Sequence, residues 1–155
     1  MNLHVIKTRI IPFFLLFCSL TATAQVAGLK FNSDKKFKIV QFTDLHLKYE
    51  DPRSAITFER INEVIDSEQP DLVIFTGDLI YSPPADKNLN TVLELMNKKQ
   101  IPFAVTFGNH DREQGLTNEE LFRIIEENPF NVTYNTPGLS GTGNCRLIIR
   151  SSEST

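Results

Sequence analysis

The chain has 155 residues, of which 41% are hydrophobic and 23% are charged, and its formal net charge at pH 7 is -3. This length suits one domain, and the apolar fraction is that of a globular protein rather than a disordered one. A net negative charge argues against a protein whose main task is to coat nucleic acid. Two cysteines are too few for a disulfide-rich secreted scaffold.

The first 24 residues have the pattern of a secretory signal peptide. Lys7 and Arg9 precede an apolar run at residues 10–20, and Ala22-Thr23-Ala24 supplies the small residues of a cleavage site. The apolar run is about half of the ~20 residues that a membrane-spanning helix needs. We therefore expect export to the periplasm or the extracellular space, with cleavage after Ala24 and no stable membrane anchor left on the mature chain.

Strand patterns follow a lead-in at residues 25–36. Three segments rich in apolar and β-branched residues are predicted to form strands, namely residues 37–42, 72–75 and 103–107. Two further strands are predicted near residues 132–134 and at residues 145–149, on either side of a glycine-rich turn.

Helical patterns separate these strands. Helices are predicted at about residues 55–67 with Ser54 as the N-cap, along the apolar stripe at residues 89–96, and after a capping box of Thr117 and Glu120. Strands that alternate with helices imply a mostly parallel sheet with right-handed crossovers. The predicted fold class is therefore α/β, in one domain that spans residues 37–155.

Polar side chains follow each of the first three strands. Asp44-Leu45-His46 follows the first, Gly77-Asp78 the second, and Gly108-Asn109-His110-Asp111 the third. Because the carboxyl ends of parallel strands meet at one edge of a sheet, these side chains are expected to lie close together. An Asp after a strand is by itself most often a turn former. Here three strand ends carry such residues, and they include His46 and His110, the two histidines that remain once the signal peptide with His4 is removed. Together they predict a site for Mn, Fe, Zn or a similar ion.

The three blocks resemble the D-x-H, G-D and G-N-H-D/E blocks of the calcineurin-like metallophosphoesterase superfamily, and they stand in the same order. The resemblance covers about residues 37–149 and is strongest to the branch related to purple acid phosphatases. It implies that Asp44 and His46 bind a first metal ion and that Asp78 bridges this ion to a second. Asn109 would bind the second ion.

The resemblance also implies an activity. His110 would stand beside the substrate, to protonate the leaving oxygen or stabilise the transition-state charge, and Asp111 would support the loop or that histidine. The implied protein is an exported hydrolase of phosphoric esters. Two divalent or trivalent ions (Mn, Fe or Zn), roughly 3.5–4 Å apart, would activate a hydroxide that attacks phosphorus. The implied partner is a phosphoester substrate, and nothing indicates nucleic acid binding.

Tyr81 departs from the expected pattern. It completes a G-D-x-x-Y block that is similar to the one in which purple acid phosphatases use tyrosine as an iron ligand. Those enzymes usually lack the D-x-H histidine, whereas His46 is present here. We favour His46 as the ligand and Tyr81 as a packing residue of the loop, with Tyr81 as the alternative ligand.

Two further family blocks, a lone His and G-H-x-H on later strands, have no counterpart, because no His follows His110. We therefore expect the N-terminal portion of such an enzyme, with the second half of its β-sandwich missing and an apolar sheet face exposed. The resemblance implies an enzyme, but we expect this portion by itself to be inactive. The alternative function is a truncated, catalytically inactive fragment or a degenerate relative with a partial metal site. A phosphoryl-acceptor domain of the receiver type is a further rival, but it has no use for His110.

Overall fold

A computed structural model of the chain describes residues 28–153, so the predicted signal peptide at residues 1–24 lies outside the described residues. The strands are β1 (Ile39–Phe42), β2 (Leu72–Thr76) and β3 (Phe103–Thr106). The α-helices are α1 (Pro52–Glu68), α2 (Ala85–Lys99) and α3 (Asn118–Glu126), and a short 3-10 helix at Asp111–Gln114 precedes α3. The predicted alternation of strands and helices is confirmed. None of the helices in residues 28–153 is long and apolar enough to cross a membrane.

The three strands form one parallel sheet in the order β1-β2-β3. Ile39 pairs with Leu72, and Val73 pairs with Phe103. Because neighbours in the chain are also neighbours in the sheet and run in the same direction, the loops that follow the strands emerge side by side at one edge. This is the edge to which the sequence assigns the polar blocks.

One face of the sheet packs against the helices. Val73, Phe75, Phe103 and Val105 share this face, are at most 3% exposed, and belong to the same core cluster as Ile61, Ile65 and the apolar residues of α2 and α3. The other face is mixed. Ile39 is 46% exposed there, but the Gln41 amide beside it donates a hydrogen bond to the Thr76 hydroxyl at 2.9 Å. The expectation of an apolar exposed face is therefore only partly right.

The start of α1 differs from the prediction. Asp51, not Ser54, is the N-cap, and its side chain accepts a hydrogen bond from the backbone N–H of Arg53 at 2.8 Å. Pro52 can follow directly because its fixed φ suits the first helical position and its missing N–H is not needed there. Ser54 is buried instead, and its hydroxyl oxygen accepts a hydrogen bond from the backbone N–H of Lys48 at 2.8 Å.

The strands predicted at residues 132–134 and 145–149 do not form, so these two predictions are wrong. The first segment begins to pair with β3 through a single bridge between Phe103 and Asn131. The ladder stops there because the side chain of Thr133, not a backbone carbonyl, accepts the N–H of Val105 at 2.8 Å. The second segment is held by a side chain as well, since the Tyr134 hydroxyl donates to the carbonyl of Arg146 at 2.9 Å.

Two isoleucines on α1 allow a test of this packing. Ile65 is 1% exposed and lies in the core, whereas Ile56 is 58% exposed. We expect Ile65→Ala to lower the free energy of unfolding by about 2–5 kcal/mol, because it leaves a cavity. Ile56→Ala should change it by about 0.5 kcal/mol or less. Urea denaturation measures both values, and equal losses would contradict this orientation of α1.

Candidate functional site

The loops after β1 and β2 continue the backbone pairing of the two strands. The N–H of Asp44 donates to the carbonyl of Gly77 at 3.1 Å, and the N–H of His46 donates to the carbonyl of Asp78 at 2.9 Å. One residue further on, the N–H of Leu47 donates to the carbonyl of Leu79 at 2.9 Å. This pairing fixes the D-x-H block beside the G-D block, and buried Leu47 and Leu79 anchor both loops in the core.

Asp44, His46 and Asp78 converge on one point. Each offers a ligand atom, and these atoms all lie within 4.8 Å of one another. Nε2 of His46 is 3.8 Å from a carboxylate oxygen of Asp44 and 3.8 Å from one of Asp78. These distances are too long for hydrogen bonds. Two ligands that are each about 2.2 Å from one ion lie at most about 4.4 Å apart, so the spacing suits two ligands of a shared cation.

The backbone at all three candidate ligands is left-handed. The φ angles are 54° at Asp44, 46° at His46 and 52° at Asp78. A non-glycine residue in this region is uncommon, and such conformations cost on the order of 1–3 kcal/mol each and concentrate at functional sites. Three such residues in one cluster indicate that this edge is a functional site rather than an ordinary set of turns.

Two glycines let the loops after β2 and β3 approach each other. A Cβ atom on Gly108 would lie 2.2 Å from a carboxylate oxygen of Asp78, and one on Gly77 would lie 3.1 Å from Cα of Gly108. Gly77 also has a φ of 90°, which side chains rarely adopt. Any larger residue at Gly108 would displace the Asp78 carboxylate.

The carboxylate of Asp111 joins the same two loops. Asp111 is 1% exposed, and its two oxygens accept hydrogen bonds from the backbone N–H groups of Asp78 at 3.0 Å, Ile80 at 3.0 Å and Gly108 at 2.8 Å. In return, the carboxylate of Asp78 accepts the N–H of His110 at 2.9 Å. The G-D and G-N-H-D blocks therefore hold each other through reciprocal carboxylate–amide bonds.

His110 lies beside this cluster with its ring in a defined environment. Nδ1 is 2.6 Å from a carboxylate oxygen of Glu113, which stands one turn further along the 3-10 helix. This hydrogen bond, with smaller contributions from the charges of Glu113, Asp78 and Asp111, raises the pKa of His110 above its ordinary value despite the opposing effect of burial. With Nδ1 held by Glu113, Nε2 is the nitrogen that can act on a substrate.

Tyr81 packs against both histidines, and the three rings form a triangle. Its ring centroid is 5.0 Å from that of His46 and 4.9 Å from that of His110, and the two histidine rings are 5.4 Å apart. Asn109 precedes His110 in the loop after β3, and its side chain is exposed with no hydrogen-bond partner among residues 28–153. The structure thus brings the candidate ligands, His110 and Tyr81 to one edge.

Two supporting residues escaped the sequence analysis. Glu113 could have been found from its spacing, since a residue three positions after His110 lies one turn away in a short helix. Asn88, on α2, is 1% exposed and donates a hydrogen bond from its amide to the carbonyl of Leu47 at 2.6 Å. Nothing in the helical stripe of α2 distinguishes this asparagine from those on the solvent side.

We expect Asp111→Asn to weaken Mn²⁺ binding as well as the fold. An amide has one acceptor oxygen, so at least one backbone N–H of the two loops loses its partner, at about 1–3 kcal/mol for a buried group. Thr133→Val is the matched control, because it removes a buried acceptor from the N–H of Val105, in β3. Isothermal titration calorimetry should show weaker Mn²⁺ binding only for Asp111→Asn. Wild-type affinity in that variant would contradict a role in positioning Asp78.

A known protein family and several known proteins match much of this chain. The profile of the calcineurin-like phosphoesterase family matches residues 37–150. Phosphatase DCR2 of Saccharomyces cerevisiae is 36% identical over 124 residues, which cover 67% of this chain and 21% of that protein. Probable inactive purple acid phosphatase 29 of Arabidopsis thaliana is 29% identical over 150 residues, which cover 83% of this chain and 39% of that protein.

The chain therefore spans well under half the length of these curated relatives. Among solved structures, the crystal structure of Pseudomonas putida nuclease MPE matches with a TM-score of 0.42 and 17% identity, over 64% of this chain and 50% of that chain. That likeness is too low to bear on function. The family profile, in contrast, includes all three strand-end blocks and most of the sequence, and the chain belongs to the calcineurin-like phosphoesterase family.

Proposed function

We propose that this protein is an exported, metal-dependent hydrolase of phosphoric esters. The observation that carries the proposal is the convergence of ligand atoms from Asp44, His46 and Asp78 within 4.8 Å of one another, with His110 beside them. Membership of the phosphoesterase family supports it. Export is proposed from the charged, apolar and small-residue segments at the start of the sequence.

The donor set fits the metal ions that the family implies. Asp44, His46 and Asp78 would hold a first ion, and Asp78 with Asn109 would hold a second. Carboxylate, imidazole and amide donors suit Mn, Fe or Zn. When bound, such ions stabilise charge on the phosphoryl oxygens and lower the pKa of water, so that a nucleophile is available near neutral pH.

His110 would deliver a proton to the leaving alcohol. Glu113 fixes the ring through Nδ1 at 2.6 Å and favours its protonated form. Nε2–H is then the donor that faces the substrate. General acid catalysis of this kind contributes about 10²–10⁴-fold to the rate.

A second candidate function is metal binding without catalysis. Within residues 28–153, the strand-end blocks supply only Asp78 and Asn109 to the second ion, which leaves most of its coordination positions to water. The name of one relative, probable inactive purple acid phosphatase 29, also favours this candidate. The two functions differ in a single measurement, which is the hydrolysis of p-nitrophenyl phosphate by the Mn²⁺-loaded full-length protein.

Asp78 and His110 should separate metal binding from proton transfer. We expect Asp78→Asn to abolish activity and lower bound metal, because an amide cannot serve as an anionic bridge between two cations. His110→Ala should keep most of the metal and lose about 10²–10⁴-fold in rate, with a smaller loss for p-nitrophenyl phosphate than for an alkyl phosphate. The good leaving group of the aryl ester needs less help from an acid.

Metal content by inductively coupled plasma mass spectrometry and hydrolysis rates for both esters measure these effects. Equal metal loss in the two variants would refute this division of roles. A full-length wild-type protein that binds metal but is inactive would instead favour the non-catalytic candidate.

Tyr81 should act through its ring and not through its hydroxyl. In the Fe³⁺-loaded chain we expect Tyr81→Phe to keep both the metal content and the visible spectrum, because the phenyl ring still packs against His46 and His110. His46→Ala should lose metal. A visible charge-transfer band that disappears in Tyr81→Phe would make Tyr81 a ligand and would overturn the preference for His46.

A further inference from the structure

A small cavity opens next to His46. It has a volume of about 190 Å³ and lies between the loop after β1 and the first turn of α1, lined by His46, Lys48, Asp51, Arg53, Ser54 and Thr57. Complete small-molecule sites usually have about 300–1,000 Å³. This cavity is therefore of a size for one group of a ligand whose remainder lies elsewhere, and His46 is the wall that it shares with the metal ligands.

The charged side chains around the cavity, Lys48, Asp51 and Arg53, carry one positive charge in excess. Asp51 and Arg53 form an ion pair with an N–O distance of 2.6 Å, and the hydrogen bonds from Arg53 lower the pKa of Asp51 to about 2. This pair is therefore fully ionised and neutral as a whole at physiological pH. Lys48 is half-buried, and no carboxylate of residues 28–153 forms an ion pair with it.

Lys99, the other half-buried lysine of the described chain, does form an ion pair. Its ammonium group lies 2.6 Å from a carboxylate oxygen of Asp66. The ammonium group of Lys48 lies instead 5.3 Å from the ring centroid of Tyr81, whose ring also packs against both histidines of the site. A cation–π contact at this distance orients an ammonium group without neutralising it.

The remaining wall of the cavity offers hydrogen-bond donors. The oxygen of the Ser54 hydroxyl accepts the N–H of Lys48 at 2.8 Å, so its own hydrogen is available to a ligand. Thr57 has no hydrogen bond from its side chain among residues 28–153. A half-buried ammonium group and two hydroxyl groups form a set that recognises a carboxylate or a phosphate.

We propose that this cavity binds a second anionic group of the substrate, so that the protein acts on phosphoesters whose alcohol part carries a carboxylate or another phosphate. The inference rests on the proposed function, because the scissile phosphoryl group must occupy the metal centre. Lys48 is then a specificity-determining residue. It contacts the part of the substrate that leaves with the alcohol, and it takes no part in the chemical step.

Three phosphonates that cannot be hydrolysed test the proposal. Propylphosphonate carries one anionic group, 3-phosphonopropionate adds a carboxylate, and propane-1,3-diphosphonate adds a second phosphonate. Isothermal titration calorimetry with the full Mn²⁺-loaded chain gives the three affinities. We expect at least one ligand with two anionic groups to bind about tenfold more tightly than propylphosphonate, and the better of the two identifies the preferred second group.

Variants of two lysines assign this gain. Lys48→Met should remove it and leave the affinity for propylphosphonate unchanged, which also shows that the variant is folded. Lys48→Arg should restore most of it. Lys87→Met is the matched control, because the ammonium group of Lys87 also lies over a ring, 5.8 Å from the centroid of Tyr49, but Lys87 is exposed and lies outside the cavity.

The outcomes distinguish a failure of the proposed function from a failure of the proposed anion site. If propylphosphonate does not bind to the Mn²⁺-loaded chain, the proposed function fails and this inference fails with it. If propylphosphonate binds but neither second anionic group improves affinity, only the inference is overturned. A gain that persists in Lys48→Met, or is lost equally in Lys87→Met, overturns it as well.

Discussion

The site depends on the hydrogen bonds that the buried carboxylate of Asp111 accepts. It collects the backbone N–H groups of Asp78, Ile80 and Gly108, which belong to loops that follow different strands. An ionised carboxylate is strongly disfavoured in the interior unless hydrogen bonds surround it. Here the donors are backbone N–H groups of the two loops. A loop that moved away would therefore leave a buried carboxylate without its hydrogen-bond partners.

The close approach of the loops has a second requirement, which is the absence of side chains between them. Gly108 leaves the space that the Asp78 carboxylate occupies, and the short 3-10 helix that begins at Asp111 turns His110 toward the same edge. The direction and spacing of the candidate ligands thus depend on residues that need not touch a metal ion. Substitutions at these supporting positions should be read as changes in site geometry before they are read as changes in chemistry.

Much of this arrangement could be predicted from the sequence, because it depends on order along the chain. Continuous apolar segments such as Leu72–Thr76 indicate buried parallel strands, and the strand order then places Asp44, Asp78 and Asn109 at one edge. The capping box of Thr117 and Glu120 is confirmed by hydrogen bonds in both directions. These features are local, or follow from a simple topology.

The predictions that were wrong, and the residues that were not predicted, have a different physical origin. The segment at residues 145–149 has strand composition, but a strand also needs a neighbouring strand, and in residues 28–153 the pairing is limited to an isolated bridge between Lys30 and Arg150, just after the segment. Ser54 has the chemistry of an N-cap, yet Asp51 followed by Pro52 caps α1 better and frees Ser54 to hold Lys48. Asn88 acts on a loop outside its own helix, through the carbonyl of Leu47, and its importance depends on which backbone groups the fold brings to it, which no spacing rule along one helix reveals.

The left-handed backbone at Asp44, His46 and Asp78 has a thermodynamic consequence. These residues are held in a costly conformation with two carboxylates close together, and a cation that binds them only in the folded state shifts the unfolding equilibrium by RT ln(1 + [L]/Kd). A hundredfold excess over Kd corresponds to about 2.7 kcal/mol. Under the proposed function, metal supply would therefore act on this protein twice, since the ion that equips the site for chemistry would also set how much of the chain is folded.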